Sequence, residues 1–126
     1  MKRVGGPRPP KTTADAFMKA RRDILETILR IPPGKVASYS GVAFAAGWPG
    51  RARLVARVLS DVPPEYEKLP WFRVINAQGK VAIPKGSPGH LKQVRLLKSE
   101  GVVFLNGRVS FKAHGWQPGD ESPLLD

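Results

Sequence analysis

Residues 35–60 read KVASYSGVAFAAGWPGRARLVARVLS, and the punctuation inside this stretch decides the fold. Ser38 is a good helix cap, because its hydroxyl can accept a hydrogen bond from an amide that the first turn leaves unpaired. A short helix, Tyr39 to Ala46, follows. Gly47 suits the left-handed conformation that ends a helix, since it has no Cβ to clash. After Trp48-Pro49-Gly50 a further helix spans about Arg51 to Ser60, with Pro49 near its first turn, where a missing N–H costs little. Two short helices across a tight Gly/Pro turn are the outline of a helix-turn-helix. On the later helix Val55, Val58 and Leu59 can face a core, while Arg53 and Arg57, four apart, project together from another side. A solvated basic face is the plain alternative for those arginines. The preceding turn and the net charge of +11 favour a DNA-facing helix.

Upstream lies the scaffold. Thr13 is the expected cap of a helix running to about Arg30, with Phe17, Ile24, Ile28 and Ile31 at helical spacing and Leu25 and Leu29 widening the stripe. Lys19, Arg21 and Arg22 fall largely elsewhere, so the apolar face reads as core. Pro32-Pro33-Gly34 ends that helix, and Lys35-Val36-Ala37 is a short link to Ser38. Residues 1–12 hold Gly, Pro, Lys and Arg with nothing to bury, and are expected to be a basic flexible tail.

Downstream, the polar connection of residues 61–68 leads into Leu69-Pro70-Trp71-Phe72-Arg73-Val74-Ile75. Two aromatics after a proline are either a plug for the core or the floor of a pocket for something flat. Val74-Ile75 and Lys80-Val81-Ala82 read as short strands around the turn Asn76-Ala77-Gln78-Gly79. Residues 84–89, Pro-Lys-Gly-Ser-Pro-Gly, form an uncrowded loop whose backbone can approach a ligand closely. They lack the Gly-Lys-Ser/Thr ending of a phosphate-binding Walker loop. A fourth helix, about His90 to Ser99, carries Leu91, Val94 and Leu97 inward and Lys92, Arg95 and Lys98 outward, and Gly101 closes it. Val102 to Leu105 and Arg108 to Phe111 flank Asn106-Gly107, the strongest hairpin signal in the chain. Trp116-Gln117-Pro118 can still dock on the domain, and residues 119–126 read as an acidic flexible tail. The boundaries expected are therefore a tail (1–12), one DNA-binding domain (13–118) and a tail (119–126).

Composition narrows the function. A chain of 126 residues, 41% hydrophobic, fits one domain with a real core. No apolar run approaches the roughly 20 residues of a membrane span. The basic start, Met1 to Arg8, has no apolar segment after it, so no secretory leader is expected. With no cysteine there is no disulfide, no thiolate nucleophile and no zinc-thiolate site. The two histidines, His90 and His114, have no serine-plus-acid or paired-acid neighbours and read as surface or capping residues. Catalytic residues, metal and cofactor are all expected to be none. The excess of 21 basic over 10 acidic residues favours a polyanionic partner, DNA or RNA ahead of an anionic membrane.

From about Ala16 to Pro118, five features in order resemble the DNA-binding domain of O6-alkylguanine-DNA alkyltransferases. They are GKVASYSGVAFAAG, RARLVARVLS, LPWFRVINAQGKV, LLKSEGV and the Trp116-Gln117-Pro118 ending. Where the transferases carry Pro-Cys-His-Arg-Val, this chain has Pro70-Trp71-Phe72-Arg73-Val74. Tryptophan for the reactive cysteine resembles the alkyltransferase-like proteins. The fold implied is mostly α with small β-hairpins, a winged helix-turn-helix-like alkyltransferase C-terminal domain.

By the same resemblance, Tyr39 matches the tyrosine that pushes on the phosphate of the target nucleotide, and Arg53 the finger that fills the gap left by the extruded base. The helix would then sit in the minor groove. Ser38, Lys35 and Arg57 join them as expected DNA contacts. The expected lesion pocket comprises Trp71, Phe72, Arg73, Pro70, Val81, Lys85, Gly86 and Ser87. Three departures stand out. Phe72 replaces the relay histidine. Glu100, in KSEGV, matches the relay glutamate with no histidine to orient, which leaves a structural role, with Arg73 a guessed partner. The asparagine hinge expected before the proline is absent, and the 61–68 connection is about one residue longer.

The resulting expectation is a non-enzymatic sensor that binds O6-alkylguanine in double-stranded DNA through the minor groove. It would flip the base against Trp71 and flag the lesion for nucleotide excision repair proteins. It would be monomeric, not on a membrane, and cytoplasmic (nucleoid-associated if bacterial). The alternatives are a small helix-turn-helix regulator or architectural protein without lesion preference, and a residual repair hydrolase. Alkyl transfer to the protein is excluded by the absence of a thiol.

Overall fold

Ala20, Ile24 and Ile28 fall on one side of an amphipathic helix, α1 (Thr13–Leu29), and are sealed from solvent together with Leu25. The computed structural model in which this is seen describes residues 13–119; segments 1–12 and 120–126, expected as tails, lie outside them. Thr13, the first described residue, is already helical rather than the flanking cap, and Leu29, in the last turn, is exposed instead of widening the stripe. Thr27 takes an inward place because its hydroxyl donates to the Asp23 carbonyl at 2.7 Å, which satisfies the polar atom within the helix's own backbone.

The helix-turn-helix forms as its punctuation dictates. The Ser38 hydroxyl accepts from the Gly41 amide at 2.9 Å and starts α2 (Tyr39–Ala45). Gly47 lies at φ +89°, the Gly47 amide donates to Phe44 and the Trp48 amide reaches back to Ala43 at 2.8 Å. That pair of bonds is the Schellman ending, which satisfies carbonyls that the last turn orphans. α3 (Ala52–Leu59) begins later than expected: Gly50, at φ +80°, and Arg51 separate it from Pro49, which stays outside its first turn. Leu54, Val55 and Val58 are buried, with Leu59 partly so. They pack with Val42 and Ala43 of α2, the α1 face, Leu69, Val74 and Trp116 into the main core.

Downstream the strand expectations need correction. β1 (Ala37–Ser38) pairs in parallel with β2 (Val74–Ile75), with Ala37 opposite Val74 and Ser38 opposite Ile75. Residues 80–82 form no strand. The Asn76 amide donates to the Lys80 carbonyl at 2.9 Å and the Asn76 side-chain oxygen accepts from both the Gln78 and Lys80 amides at 2.9 Å, so the turn closes around this one residue and no ladder continues. Among the described residues one hairpin is present rather than several: β3 (Phe104–Leu105) runs antiparallel to β4 (Arg108–Val109) around Asn106 at φ +55° and Gly107 at φ +76°. Two positive φ values make the type I′ turn whose twist matches that of the strands.

The expected strand through Phe111 ends early, because Ser110 caps a short helix, α5 (Phe111–His114). The chain then returns under the scaffold. The Val36 amide donates to the His114 carbonyl at 2.9 Å and the Trp116 amide to the Val36 carbonyl at 2.8 Å, which buries the Trp116 ring in the main core.

α4 (Pro88–Ser99) starts two residues before His90, capped by Ser87, so Pro88 and Gly89 belong to its first turn and not to the preceding loop. Its inward face is rotated from the expected one. Leu97 is buried and Val94 partly, but Leu91 is exposed and Gln93 is buried in its stead. Val36, Ile75, Leu97, Val102 and Val109 make a second core cluster, with Phe72, Val81, Phe104 and Phe111 packed on it. The architecture is thus mostly helical with two small sheets, a helix-turn-helix with a hairpin wing.

Gly79 joins the wing to the rest. Its carbonyl accepts from the Val109 amide at 2.8 Å, its φ is +82°, and an added Cβ would meet the Val109 carbonyl oxygen at 2.4 Å. Left-handed strain and overpacking combine, so Gly79→Ala is expected to destabilise by about 2–4 kcal/mol, read as a fall in urea midpoint at unchanged slope.

Candidate nucleic-acid interface and base pocket

Basic side chains on α3 differ in how they are held. Arg53 and Arg57 are both exposed and border one shallow concavity with Gly50 and Arg51. The Arg57 guanidinium lies over the Phe17 ring of α1 at 4.3 Å from its centroid, and Arg51 lies over Trp48 at 6.0 Å. Among the described residues no ring or carboxylate is found against Arg53. At the start of α2, Tyr39 is half-buried on the main core, and burial pushes its phenol up, so the hydroxyl keeps its proton and can donate to an anion. Ser38 Oγ stands 3.2 Å from Ser40 Oγ. Lys35 is half-buried in the link before β1, on the same segment as Ser38.

The turn between the two helices is anchored from below. Trp48 Nε1 donates to Asp23 Oδ2 at 2.9 Å, and Lys19 Nζ meets the same oxygen at 3.1 Å. Burial alone would raise the Asp23 carboxyl, but the Trp48 bond and Lys19 outweigh it and hold it below the usual range. Asp23 escapes sequence reading, because an acid four residues after a lysine looks like an ordinary surface pair.

Beyond the buried Pro70, residues Trp71–Arg73 form one turn of 3₁₀ helix leading into β2. The two rings are edge-to-face, 5.9 Å apart at 89°, and pack in different directions. Trp71 lies against the main core and Phe72 against the second cluster, and each keeps part of its surface in solvent. The two rings therefore diverge from the turn onto different packing partners.

The Arg73 side chain turns inward as well. Its Nε donates to Glu100 Oε1 at 2.9 Å, its Nη2 pairs with Glu100 Oε2, and its Nη1 donates to the Ile31 carbonyl at 2.7 Å. Glu100 Oε1 also accepts from the Gly34 amide at 3.1 Å. Burial raises the Glu100 carboxyl, yet the Arg73 hydrogen bonds, the Gly34 amide and the Arg73 charge together leave it below its ordinary value. The expected Arg73–Glu100 pairing is present, and it places Arg73 behind the aromatic turn, with its guanidinium 5.1 Å from the Phe72 ring centroid.

The remaining expected pocket residues divide. Val81 packs with Phe72 on the second cluster. Val81 and Lys85 line a groove of about 550 Å³ between the 80–85 segment, α4 and the hairpin, to which Lys80, His90 and Lys98 also contribute and Trp71 does not. Gly86 is exposed, and Ser87 is occupied at the α4 cap, where its hydroxyl also donates to the Pro84 carbonyl at 2.7 Å. His114 is structural: Nδ1 donates to the Gly34 carbonyl and Nε2 accepts from the Val103 amide, both at 3.3 Å. His90 Nδ1 is buried without a partner among the described residues. No group of three His, Asp or Glu among the described residues could hold a metal, and no described helix is long and apolar enough to cross a membrane.

Sequence reasoning missed one buried group beside the turn. Gln93 of α4 is 3% exposed, and its side-chain amide donates to the Phe72 and Val74 carbonyls, both at 3.0 Å. The signal that could have found it is phase, since Gln93 lies four residues before the buried Leu97.

Residues 19–102 match the family described as 6-O-methylguanine DNA methyltransferase, DNA binding domain. The DNA base-flipping protein of Vibrio parahaemolyticus is 43% identical over 96 residues, which cover 75% of this chain and 93% of that protein. Alkyltransferase-like protein 1 of Schizosaccharomyces pombe is 35% identical over 100 residues, covering 75% and 92%. The crystal structure of S. pombe Atl1 in complex with damaged DNA containing O6-carboxymethylguanine superposes with a TM-score of 0.70 at 29% identity, covering 82% of this chain and 97% of that one.

Proposed function

The chain belongs to the family of 6-O-methylguanine DNA methyltransferase DNA-binding domains, as an alkyltransferase-like protein, and we propose that it is a non-enzymatic sensor of O6-alkylguanine in duplex DNA. In this reading α3 enters the minor groove and Arg53 fills the gap left by an extruded base, while Tyr39 presses on the neighbouring phosphate. The base rests against Trp71. The observation that carries the reading is Trp71 itself: an indole that keeps part of its surface in solvent on a pinned turn, in a chain with no cysteine to accept an alkyl group.

The energetics favour selection by flipping cost and shape. Extrusion costs a few kcal/mol, less for a base that pairs poorly, and stacking on an aromatic returns about 1–3 kcal/mol. An O6-alkyl group weakens pairing and adds apolar area, so both contributions favour the lesion. Lys35, Arg57 and the wider basic surface supply a sequence-independent, salt-dependent share. With no bond made or broken, the complex persists until a partner acts on it, which suits a protein that marks lesions for nucleotide excision repair. The relatives named for base flipping and the damaged-DNA complex support this reading. A regulator without lesion preference would use the same arginines but have Trp71 fully enclosed in its core, and the part of the indole left in solvent disfavours that.

The test is a titration of O6-methylguanine and matched undamaged duplexes across salt. The lesion duplex is expected to bind at least about fivefold tighter, with both affinities falling linearly in log–log form as salt rises. Equal affinities at physiological salt would overturn the proposal.

A further inference from the structure

α4 meets the Trp71–Arg73 turn with a single face. Gln93, Leu97 and Glu100 are spaced four and three residues apart, so they stack on one side over two helical turns. Each does something different there. The Gln93 amide donates to the Phe72 and Val74 carbonyls at 3.0 Å each, the carbonyls that flank Arg73. Leu97 is fully buried in the second cluster, and Glu100 clasps the Arg73 side chain. Because both partners of the Gln93 group are carbonyls, the side chain must present its NH₂ and not its oxygen. A polar amide 3% exposed is tolerated only when bonded in this way.

We propose that Gln93 is a positioning residue for base recognition: its two donated hydrogen bonds set the angle of the 3₁₀ turn and thereby the plane that Trp71 offers to a flipped base. A 3₁₀ turn of three residues has little stiffness of its own, since its internal bonds are poorly aligned. Its main chain is therefore oriented by what grips it. Glu100 holds the Arg73 side chain, whose several rotatable bonds leave the backbone room to tilt. Gln93 holds the main chain itself, on both sides of that residue. Stacking depends on ring angle, so a small tilt of the turn weakens lesion contact while leaving Arg53, Tyr39 and the basic surface where they are.

The inference rests on Trp71 being the recognition surface, and two readouts on the full chain separate the failure of one idea from that of the other. The first needs no DNA. The three tryptophan indole N–H resonances, assigned in ¹⁵N-labelled protein, report each ring's surroundings. In Gln93→Leu, which keeps bulk and removes the donors, the Trp71 resonance is expected to shift or broaden while Trp48 and Trp116 stay in place. Gln93→Asn, which shortens the reach by one methylene and keeps polarity, is expected to do the same should the leucine variant not fold. The second readout is the ratio of affinities for lesion and control duplexes. It is expected to fall on the order of tenfold in either variant with little change in affinity for undamaged DNA. An unmoved Trp71 resonance in a folded variant overturns the positioning role whatever the wild type does with DNA. So does a retained lesion ratio. A wild type without lesion preference overturns the sensor reading instead, and the indole resonances still decide what Gln93 does.

Discussion

Arg53→Ala is expected to weaken binding to an O6-methylguanine duplex by on the order of a hundredfold while leaving the melting temperature of the protein nearly unchanged. On the proposed sensor reading, the first half follows from the gap that an extruded base would leave for Arg53 to fill. An unfilled gap forfeits stacking worth about 1–3 kcal/mol, and the lost cation removes a phosphate-side attraction as well. The second half follows from the environment of Arg53, which is exposed and meets no ring or carboxylate among the described residues. Arg57→Ala is the informative contrast. Its guanidinium lies 4.3 Å from the Phe17 centroid, so its loss costs about 0.5–1 kcal/mol of stability and only a modest, salt-dependent part of DNA affinity. Fluorescence anisotropy at fixed salt, paired with thermal melts, checks both. If the two variants bound DNA alike, the finger assignment for Arg53 would be wrong.

A large stability effect is expected at Glu100. Its carboxylate holds the Arg73 guanidinium by two bonds and the Gly34 amide by a third, with only 15% of its side chain exposed. Glu100→Ala strands a mostly buried guanidinium, which costs about 3 kcal/mol, the lower end of the range for breaking a buried pair. For a domain of this size that is a fall in melting temperature of roughly 10–15 °C. The pH dependence has a definite sign. The folded carboxyl lies below its ordinary value of 4.5, so its contribution is complete above the unfolded pKa and drains away as pH falls through the lowered one. The stability gap between wild type and Glu100→Gln should accordingly be constant from pH 7 to about 5 and narrow below about 4.5. A gap that widened on acidification would contradict the assignment. Because Glu100 and Gln93 share one face of α4, Glu100→Ala should also loosen the aromatic turn, though through the Arg73 side chain rather than the main chain.

Which parts of this were legible beforehand depended on the range of the interaction that decides them. Ser38 as a cap, Gly47 as a left-handed helix ending and Asn106-Gly107 as a hairpin turn were all readable, because each is settled by backbone sterics within four or five residues. The β1–β2 pairing was not. Two-residue strands have no periodicity to read, and a parallel partner thirty-odd residues away leaves no local mark. Pro88 and Gly89 look like loop residues, which hides the first turn of α4, although a proline fits a first helical turn. The inward face of α4 is hidden too, because the apolar Leu91 is exposed and the polar Gln93 is buried.

The sequence by itself determined the helix-turn-helix, the hairpin wing, the basic character and the absence of any thiol. It also carried the family resemblance through ordered motifs. Only the tertiary structure decided how the expected site residues divide their work. It set Arg57 on Phe17 while Arg53 stands apart, packed Phe72 and Trp71 on two different core clusters, and sent Arg73 inward to Glu100. The physical reason is that a residue's type limits which contacts it can make, whereas the direction of its side chain depends on what packs behind it. For the Trp71 turn, what packs behind is one face of a helix that begins more than a dozen residues later.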